Sequence, residues 1–445
     1  MTTQCYRRLS RLVSWFVAGV VLTACGLGGA PEPTPTPPEP RELKVYMLES
    51  PALSQVLDIL IKGFRERNPN YTVRVVNIQG NPAQELAALA AAGQQPDIIW
   101  TIDNMTQAMV AAGVLLDMRE FARADTSFNL DDIDPNVLAI GNGRMTSEPG
   151  LYMIPASLET IQMFYNKDLF EAAGAPQPQP DWTWNDLIDA CQFVQADQPG
   201  VDCLSFFNAN TPGPDWWAYW APFVRGYGGE VLSADGRKST LSSPESLAGF
   251  QAYIDLWTRH KVARGPNAPG GDCFVEQRCA VMFFASIGIK SLRDDIGAKF
   301  NWDAQMIPAH PQGRFTGAAV YGFGIGKATR YPEAAWDFVK QLATPEVQRL
   351  IATQRLGIPM LKSLAGDPSL TQLPPPPENM RAFIDGAQYG IPPRSYPVQC
   401  GSLYVGPVQE AITQAFRAAL TGAQSVEDAL KAADAKIQAC LDASP

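Results

Sequence analysis

The feature that most constrains the fold is a regular alternation of strand-like and helix-like segments in the first quarter of the chain. Apolar runs suited to buried strands alternate with segments whose apolar residues recur at three- and four-residue spacing. In chain order these segments are 43–48, 53–67, 71–78, 83–92, 97–100 and 105–112. Such alternation is typical of βαβ units, which build mainly parallel sheets. We therefore expect an α/β fold.

The same alternation restarts after residue 150, so the chain is expected to contain more than one folding unit. Strand-like segments occur at 151–155 and 280–284. Helical spacing recurs at 245–260, 332–343, 345–354, 405–420 and 425–439. A chain of 445 residues has room for two or three units of about 100–200 residues each.

Polar side chains follow the first three predicted strands, at the point where each strand ends. Glu49 and Gln79 follow the first two strands, and Asp103 and Asn104 follow the third. Ligands of open α/β sheets bind at the carboxyl ends of strands, so these residues are candidate ligand contacts. Asp and Asn are also good helix caps, and capping of the helix at 105–112 is the alternative role for the last two.

The N-terminus is typical of an export signal. Three arginines precede an apolar run at 12–22, which is shorter than the roughly 20 residues of a membrane-spanning helix. We predict a signal peptide over 1–24. The closing tetrapeptide, Leu22 to Cys25, resembles a bacterial lipobox, which implies cleavage before Cys25 and a lipid on its sulfur. The Pro-rich segment that follows, up to residue 41, is expected to be an extended tether.

Charge and cysteine content narrow the possible partners. The net charge of −10 argues against a nucleic-acid partner, which would require an excess of Lys and Arg. Beyond the signal and Cys25, six cysteines remain, and an even number in an exported chain suggests disulfides. Short spacing favours Cys191–Cys203 and Cys273–Cys279, which leaves Cys400–Cys440, although the sequence leaves other pairings open. No CxxC occurs and both histidines are isolated, so no metal or other cofactor is expected.

An ordered series of short motifs carries a family resemblance over residues 42–440. The motifs are PDIIW at 96–100, AAGVL at 111–115, YNKDLF at 165–170, DWTWNDL at 181–187, PEAAWDF at 332–338, TPE at 344–346, GIP at 357–359 and SVEDAL at 425–430. Together they resemble the extracellular solute-binding proteins of ABC importers, in the group that includes maltose-binding protein.

The resemblance implies a two-lobed periplasmic-binding-protein-like fold with mixed, mainly parallel sheets flanked by helices. The chain is expected to cross between lobes near 155–159, 305–309 and 362–372. The predicted N-lobe is 42–157 plus 308–364, and the predicted C-lobe is 158–307 plus 365–445. The implied function is capture of a sugar or oligosaccharide in an interlobe cleft and its delivery to a separate ABC permease. The chain is then a monomeric, non-enzymatic protein, anchored by lipid outside the cytoplasm.

A sugar site requires aromatic rings against the sugar's apolar faces and polar groups around its hydroxyls. The resemblance implies a stacking ring from the segment at 216–220, although these rings can also fill a core. It further implies a carboxylate near residue 103, an acid at the first crossing, a tyrosine in the Gly-rich segment 317–326 and a ring before the last helices. The candidate ligand contacts are Trp217, Trp220, Trp216, Tyr219, Glu159, Asp103, Asn104, Tyr321, Glu49 and Tyr404.

Two other functions remain open at this point. Acids and rings in a groove also serve glycoside hydrolysis, so a lipid-anchored glycosidase is one alternative. An importer subunit for a non-sugar solute, such as a polyamine, peptide or metal, is the other. The segment at 322–327 resembles a phosphate-binding loop, but it lacks the first Gly and the final Ser or Thr. It is better explained as a strand packed closely against its neighbour.

Overall fold

The structure is a computed structural model of the chain. It describes residues 41–48, 51–78, 82–143, 149–206, 213–265, 268, 271–404 and 406–444. The predicted signal peptide, Cys25, Glu49 and Gln79 lie outside these ranges. None of the helices in the described part is long and apolar enough to cross a membrane.

Strands and helices alternate as the sequence predicts. The strands are β1 Arg41–Met47, β2 Tyr71–Asn77, β3 Ile98–Ile102, β4 Ile154–Asn166, β5 Asp202–Ser205, β6 Cys279–Ala285, β7 Trp302–Gln305, β8 Thr316–Ile325 and β9 Gly390–Ile391. The helices are α1 Pro51–Arg67, α2 Pro82–Ala91, α3 Asp103–Ala111, α4 Arg119–Ala124, α5 Pro135–Leu138, α6 Lys167–Ala172, α7 Trp184–Asp197, α8 Trp217–Gly226, α9 Pro244–Thr258, α10 Ile289–Ile296, α11 Pro332–Val339, α12 Pro345–Thr353, α13 Arg381–Gly386, α14 Pro407–Leu420 and α15 Val426–Asp442.

The strands form one mixed sheet in the order β2-β1-β3-β8-β4-β6-β5, with β7 beside β4 and β9 beside β8. The first three strands pair in parallel, which confirms the prediction from their alternation with helices. The long strands β4 and β8 run antiparallel to each other, and β8 is also antiparallel to β3. The sheet is therefore mixed because two long return strands lie at its centre.

Strand β4 connects two parts of the sheet. Its first half, up to Thr160, pairs with β8, whereas its second half, from Ile161, pairs with β6 and β7. The side chains of Ile154 and Ala156 pack in one hydrophobic core, and those of Ile161 and Met163 pack in another. A single strand of 13 residues thus passes from one core to the next.

We call these the first core and the second core. The first core packs β1, β3, β8 and the start of β4 against α1, α11 and α12. The second core packs the end of β4, β5 and β6 against α7, α8, α9, α14 and α15. A smaller third core lies beside the second half of β4 and includes Phe164, Trp302 and Phe383.

The segment before β8 contacts the second core. The backbone N–H of Ala309 donates to Trp182 O at 2.8 Å, and that of Gln312 donates to Gly226 O at 2.9 Å. Val320 is the first residue of β8 that packs in the first core. The lobe boundary predicted at 308 stays a prediction, but these contacts favour a boundary about ten residues later.

Three disulfides join the six cysteines as their spacing suggests. The pairs are Cys191–Cys203, Cys273–Cys279 and Cys400–Cys440, with Cα–Cα distances of 5.4, 5.3 and 5.7 Å. The predicted pairing is confirmed. All three disulfides lie on the side of the second and third cores. Cys191–Cys203 links α7 to β5, Cys273–Cys279 ends at the first residue of β6, and Cys400–Cys440 anchors α15.

Two local predictions are also confirmed. Thr183 caps α7 in a reciprocal capping box with Asp186. The Gly-rich segment is strand β8, where a Cβ on Gly322 would lie 2.2 Å from Ile154 O. Glycine is needed there because β8 packs directly against the backbone of β4.

Candidate functional site

The first wall of the candidate site is the start of α3, at the carboxyl end of β3. Asp103 is the first residue of this helix and is fully buried, and its Oδ2 accepts from the Val320 N–H of β8 at 3.1 Å. The capping role considered above is wrong for this residue, because the N-cap position belongs to Ile102 and no side chain caps the helix. The Asn104 side chain lies outside the part that the structure describes.

The opposite wall comes from the start of α8 and the loop before α14. The Trp217 ring packs edge-on against Tyr404 at 5.9 Å and against Trp216 at 6.5 Å between centroids. Burial and the nearby carboxylate of Asp103 both raise the pKa of Tyr404. Asp103 is therefore close enough to Tyr404 to act on it electrostatically, although the two residues are about 300 positions apart in the sequence.

The other two predicted rings form hydrogen bonds within the second core. Tyr219 donates its hydroxyl to Phe283 O at 3.1 Å, and Trp220 donates its indole N–H to Asp215 O at 3.1 Å. Both side chains are almost fully buried. Their polar atoms have partners inside the protein, as the core-filling alternative requires. Trp216 differs, because its indole N–H has no hydrogen-bond partner among the described residues.

A cavity of about 710 Å³ adjoins the second wall. It lies between α8, the turn at 229–236 and the segment 390–397, and Trp217 lines one side. Helix α3 contributes Gln107 to the lining of this cavity, one turn after Asp103. The Gln107 side chain donates to Tyr396 O at 2.9 Å. This volume is typical of small-molecule sites. The cavity therefore lies where the two sides of the molecule meet.

Positive charges around the cavity have partners within the protein. Arg225 forms an ion pair with Glu230, and Arg394 donates to Ser233 O at 3.0 Å. Asp235 is also in the lining. The cavity thus presents both signs of charge rather than a cluster of free cations, an arrangement better suited to an uncharged polar ligand than to an anion.

Glu159 lies at the crossing on β4, and its carboxylate is bonded inside the protein. Ser157 and Ser286 donate their hydroxyls to it at 2.8 and 2.6 Å, and the Ile287 N–H donates at 2.9 Å. Burial raises the pKa of Glu159 to about 7 against the lowering effect of these donors. The sequence reasoning missed both serines. Ser157, two residues away on the same strand face, could have been found, but Ser286 is 127 residues distant.

Tyr321 is on β8, near Glu159 of the neighbouring strand β4. Its hydroxyl donates to Leu356 O at 3.0 Å, and the ring is buried. Burial, followed by the nearby Glu159, raises its pKa. The role of each candidate in ligand binding stays a prediction. Among the candidates, Trp217 packs against Trp216 and Tyr404, and Asp103 acts electrostatically on Tyr404.

Comparison with known proteins agrees with this architecture. The family model described as bacterial extracellular solute-binding protein matches residues 50–349. The sn-glycerol-3-phosphate-binding periplasmic protein UgpB of Escherichia coli K12 is 26% identical over 311 residues, covering 66% of this chain and 68% of the relative. The same protein of Shigella flexneri serotype 5b has the same identity and coverage.

Solved structures share the fold at low sequence identity. The substrate-binding protein Lmo0181 of Listeria monocytogenes, in complex with cycloalternan, has a TM-score of 0.76 at 22% identity, covering 90% of this chain and 99% of its own. The GacH receptor of Streptomyces glaucescens has a TM-score of 0.74 at 18% identity, covering 91% and 99%. Maltose-bound MalE3 of T. maritima has a TM-score of 0.71 at 20% identity, covering 89% and 99%.

These likenesses confirm the two-lobed α/β fold of periplasmic binding proteins. The family match spans more than half of the chain and includes β3, α3, the crossing strands and the first wall of the site. The chain therefore belongs to the family of bacterial extracellular solute-binding proteins.

Proposed function

We propose that this protein is the solute-binding subunit of an ABC importer and that it captures a sugar or small oligosaccharide between its two lobes. The observation that carries the proposal is the proximity of Asp103, at the start of α3, to Tyr404, whose ring packs against Trp217 in the second core. A carboxylate that accepts from hydroxyls and rings that cover C–H faces are the two requirements of a sugar site. They come from opposite sides of one boundary.

The charge pattern of the adjoining cavity supports an uncharged ligand. Its lining balances Arg225 and Arg394 against Glu230 and Asp235, so it has no excess of positive charge to favour a phosphate. The curated relatives are named for binding sn-glycerol 3-phosphate, whereas the Listeria structure holds cycloalternan. We favour the carbohydrate, with glycerol phosphate as the competing ligand to be tested.

Closure of the cleft would follow from ligand contacts on both walls. A ligand that touches both sides binds the closed form more tightly and shifts the equilibrium toward it. We propose lobes that follow the first and second cores, with the crossing into β8 near 318–320 instead of 308. A separate membrane permease would recognise the closed form and receive the solute.

Export and anchoring complete the proposal. The predicted signal peptide and the lipidated Cys25 would tether a monomeric, non-enzymatic binding protein to the membrane outside the cytoplasm. Mass spectrometry of the protein isolated from its native membrane fraction would test this part. The expected N-terminal peptide begins at Cys25 and carries a diacylglycerol, and an unmodified Cys25 would contradict it.

A thermal-shift screen of the mature protein is the first test of the ligand. The panel contains mono- and oligosaccharides together with sn-glycerol 3-phosphate. A ligand at 100 times its Kd stabilises the folded state by about 2.7 kcal/mol, which is readily seen. Stabilisation by a sugar supports the proposal. Stabilisation by glycerol phosphate alone would overturn the sugar, and sugar release during incubation would favour the glycosidase alternative.

Calorimetry with the identified sugar then tests the two walls. Asp103→Asn keeps the size of the side chain, whereas Trp217→Phe keeps an aromatic ring but removes the larger indole. Each is expected to weaken affinity about tenfold or more. Trp257→Phe is the matched control, since Trp257 is a second-core indole on α9. Equal losses in all three variants would point to a general effect of stability rather than ligand contact.

A further inference from the structure

The hydrogen bonds of Glu159 lie at the point where the chain passes from the first core to the second. Leu158, just before it on β4, packs against the first core, and Ile161, two residues after it, packs in the second. Glu159 itself is 7% exposed. A buried carboxylate at a crossing strand is costly unless it is well hydrogen-bonded, so its partners define its role.

Two of its three donors belong to the segment that connects β6 to α10. Ser286 donates to Oε2 at 2.6 Å, and the backbone N–H of Ile287 donates to the same oxygen at 2.9 Å. The side chain of Ile287 packs against all three hydrophobic cores. The carboxylate therefore holds a short segment that touches all three cores.

The third donor, Ser157, connects Glu159 to a distant segment of the chain, residues 356–358. Ser157 donates to Oε1 at 2.8 Å, and its hydroxyl also lies 3.2 Å from Ile358 O. A Cβ added to Gly357 would lie 2.0 Å from Ser157 Oγ and 2.8 Å from Glu159 Oε1. The segment 356–358 can approach this closely only because residue 357 is glycine. Strand β4, this segment and the start of α10 thus meet at one carboxylate.

Nearby charges do not account for the position of Glu159. None of the ion pairs in the described part of the chain includes it. On α10, Lys290 pairs with Asp294, and Arg293 donates to carbonyls of the segment 374–376. The carboxylate is therefore stabilised by hydroxyl and amide donors alone, and such bonds to a charged acceptor are stronger than those between neutral groups.

We propose that Glu159 is a positioning residue of the hinge, which sets the open–closed equilibrium through Ser286 and Ile287 and does not bind the ligand. The proposal rests on the proposed function, since it concerns closure of that same cleft. It replaces the ligand contact expected for Glu159 from the sequence. In the arrangement observed here both carboxylate oxygens are already engaged, and Gly357 closes one approach to Oε1.

The decisive experiment measures lobe separation without ligand. Spin labels at Val75→Cys on β2 and Phe193→Cys on α7, both exposed, report the distance between the two sides. Measurements at pH 8 keep the carboxyl largely ionised, because burial places its pKa at about 7. Glu159→Gln and Ser286→Ala are each expected to change the ligand-free distance distribution. Asp294→Asn, which removes only the exposed ion pair with Lys290 on α10, is expected to leave it unchanged.

Affinity for the sugar found in the screen gives the second readout. Each hinge variant is expected to weaken binding about tenfold, and the double variant no further than one single variant, because both remove the same interaction. The proposal is overturned if Glu159→Gln weakens binding while its ligand-free distances match the wild type and Ser286→Ala has no effect. Direct ligand contact would explain that result. If no sugar binds, the proposed function fails, but the ligand-free distances still test Glu159.

Discussion

The two main cores are stabilised in different ways. The second core is rich in aromatic rings, such as Trp184 at 4.5 Å from Phe223 and 5.3 Å from Phe283 between centroids. Cys191–Cys203 and Cys400–Cys440 add covalent links to it. The first core has no disulfide among the described residues. It uses buried amide side chains that bond to backbone groups.

Asn142 and Gln348 show how the first core is organised. Asn142 accepts from the backbone N–H groups of Tyr152 and Met153, both at 2.7 Å, just before β4. Gln348 donates to Ala156 O at 2.9 Å and accepts from the Met360 N–H at 2.9 Å. These amides fix the backbone beside the crossing strands, whereas rings and disulfides stiffen the second core as a unit. We therefore expect that removal of a disulfide destabilises mainly the second core, and we expect the same of a low pH.

The largest expected effect is the response of the second core to acid through His310. This side chain packs against Phe223 and Trp184, and neither ring nitrogen has a partner among the described residues. Burial lowers the pKa of His310 from 6.5 to about 3, with a smaller effect of Arg314. A lowered folded pKa means that the stabilisation is complete above pH 6.5 and is lost as the pH falls toward 3.

The size of this loss follows from the shift of the pKa. At about 1.4 kcal/mol per unit, the wild type loses about 3 kcal/mol by pH 4 and at most about 5 near pH 3, relative to a variant without the imidazole. His310→Phe suits the aromatic surroundings and is the comparison. Urea unfolding at pH 7 and pH 4 measures the difference. Parallel loss of stability in both proteins would show that His310 does not carry the acid sensitivity.

The second largest effect is expected from the Cys400–Cys440 disulfide. This bond closes a loop of about 40 residues, so replacing both cysteines by alanine should lower the free energy of unfolding by about 4 kcal/mol. The bond anchors α15, one of the helices that cover the second core. The double replacement at Cys273 and Cys279 is the control, because its sequence separation is only 6.

Chemical denaturation followed by near-ultraviolet circular dichroism gives the measurement. The aromatic signal of the second core should be lost at lower urea in the Cys400→Ala/Cys440→Ala variant than in the control. An equal effect of both double variants would contradict the dependence on loop length. It would also weaken the contrast between the cores.

The sequence predicted local features of both cores better than the contacts between them. Parallel β1–β3, the Thr183 cap and the three disulfides follow from periodicity, residue type and spacing. The enclosure of Glu159 was not predictable, because it depends on Ser286 and Gly357, which approach it only when the chain is folded. Which of the rings at 216–220 find polar partners also depends on how α8 packs in the folded chain. All four rings of the segment 216–220 lie within about one helical turn, and composition alone does not predict which of them contacts a ligand.

Glu159 should respond to pH with the opposite sign to His310. Burial raises its pKa from 4.5 to about 7, with Ser286, Ser157 and the Ile287 N–H acting in the other direction. A raised folded pKa means that its stabilisation is complete below pH 4.5 and is lost as the pH rises through 7. The loss is about 3 kcal/mol at about 1.4 kcal/mol per unit. Tyr321 is the titratable group that faces it.

Glu159→Gln is the variant that tests this slope. Its stability relative to the wild type should increase between pH 5 and pH 8, because only the wild type has to ionise a buried carboxyl. The His310→Phe variant, measured beside it, should differ from the wild type by a constant amount over the upper half of that range. A constant offset between Glu159→Gln and the wild type would mean that the carboxyl titrates normally.

The smallest expected effect is the loss of stability when one buried amide is removed from the first core. Gln348→Met keeps the length of the side chain but leaves the Ala156 and Leu342 carbonyls and the Met360 N–H without their partner. Unpaired buried polar groups are destabilising, and we expect a loss of about 2 kcal/mol. Gln354→Met, on an exposed residue that follows α12, is the matched control and should change stability little. Gln348 bonds to Ala156 on β4 and to Met360. Its loss should therefore increase hydrogen exchange at 154–158 and 358–361, while α8 and α9 stay protected. Equal exchange throughout would show that the two cores unfold together, and the amides would then stabilise the whole protein instead of the first core alone.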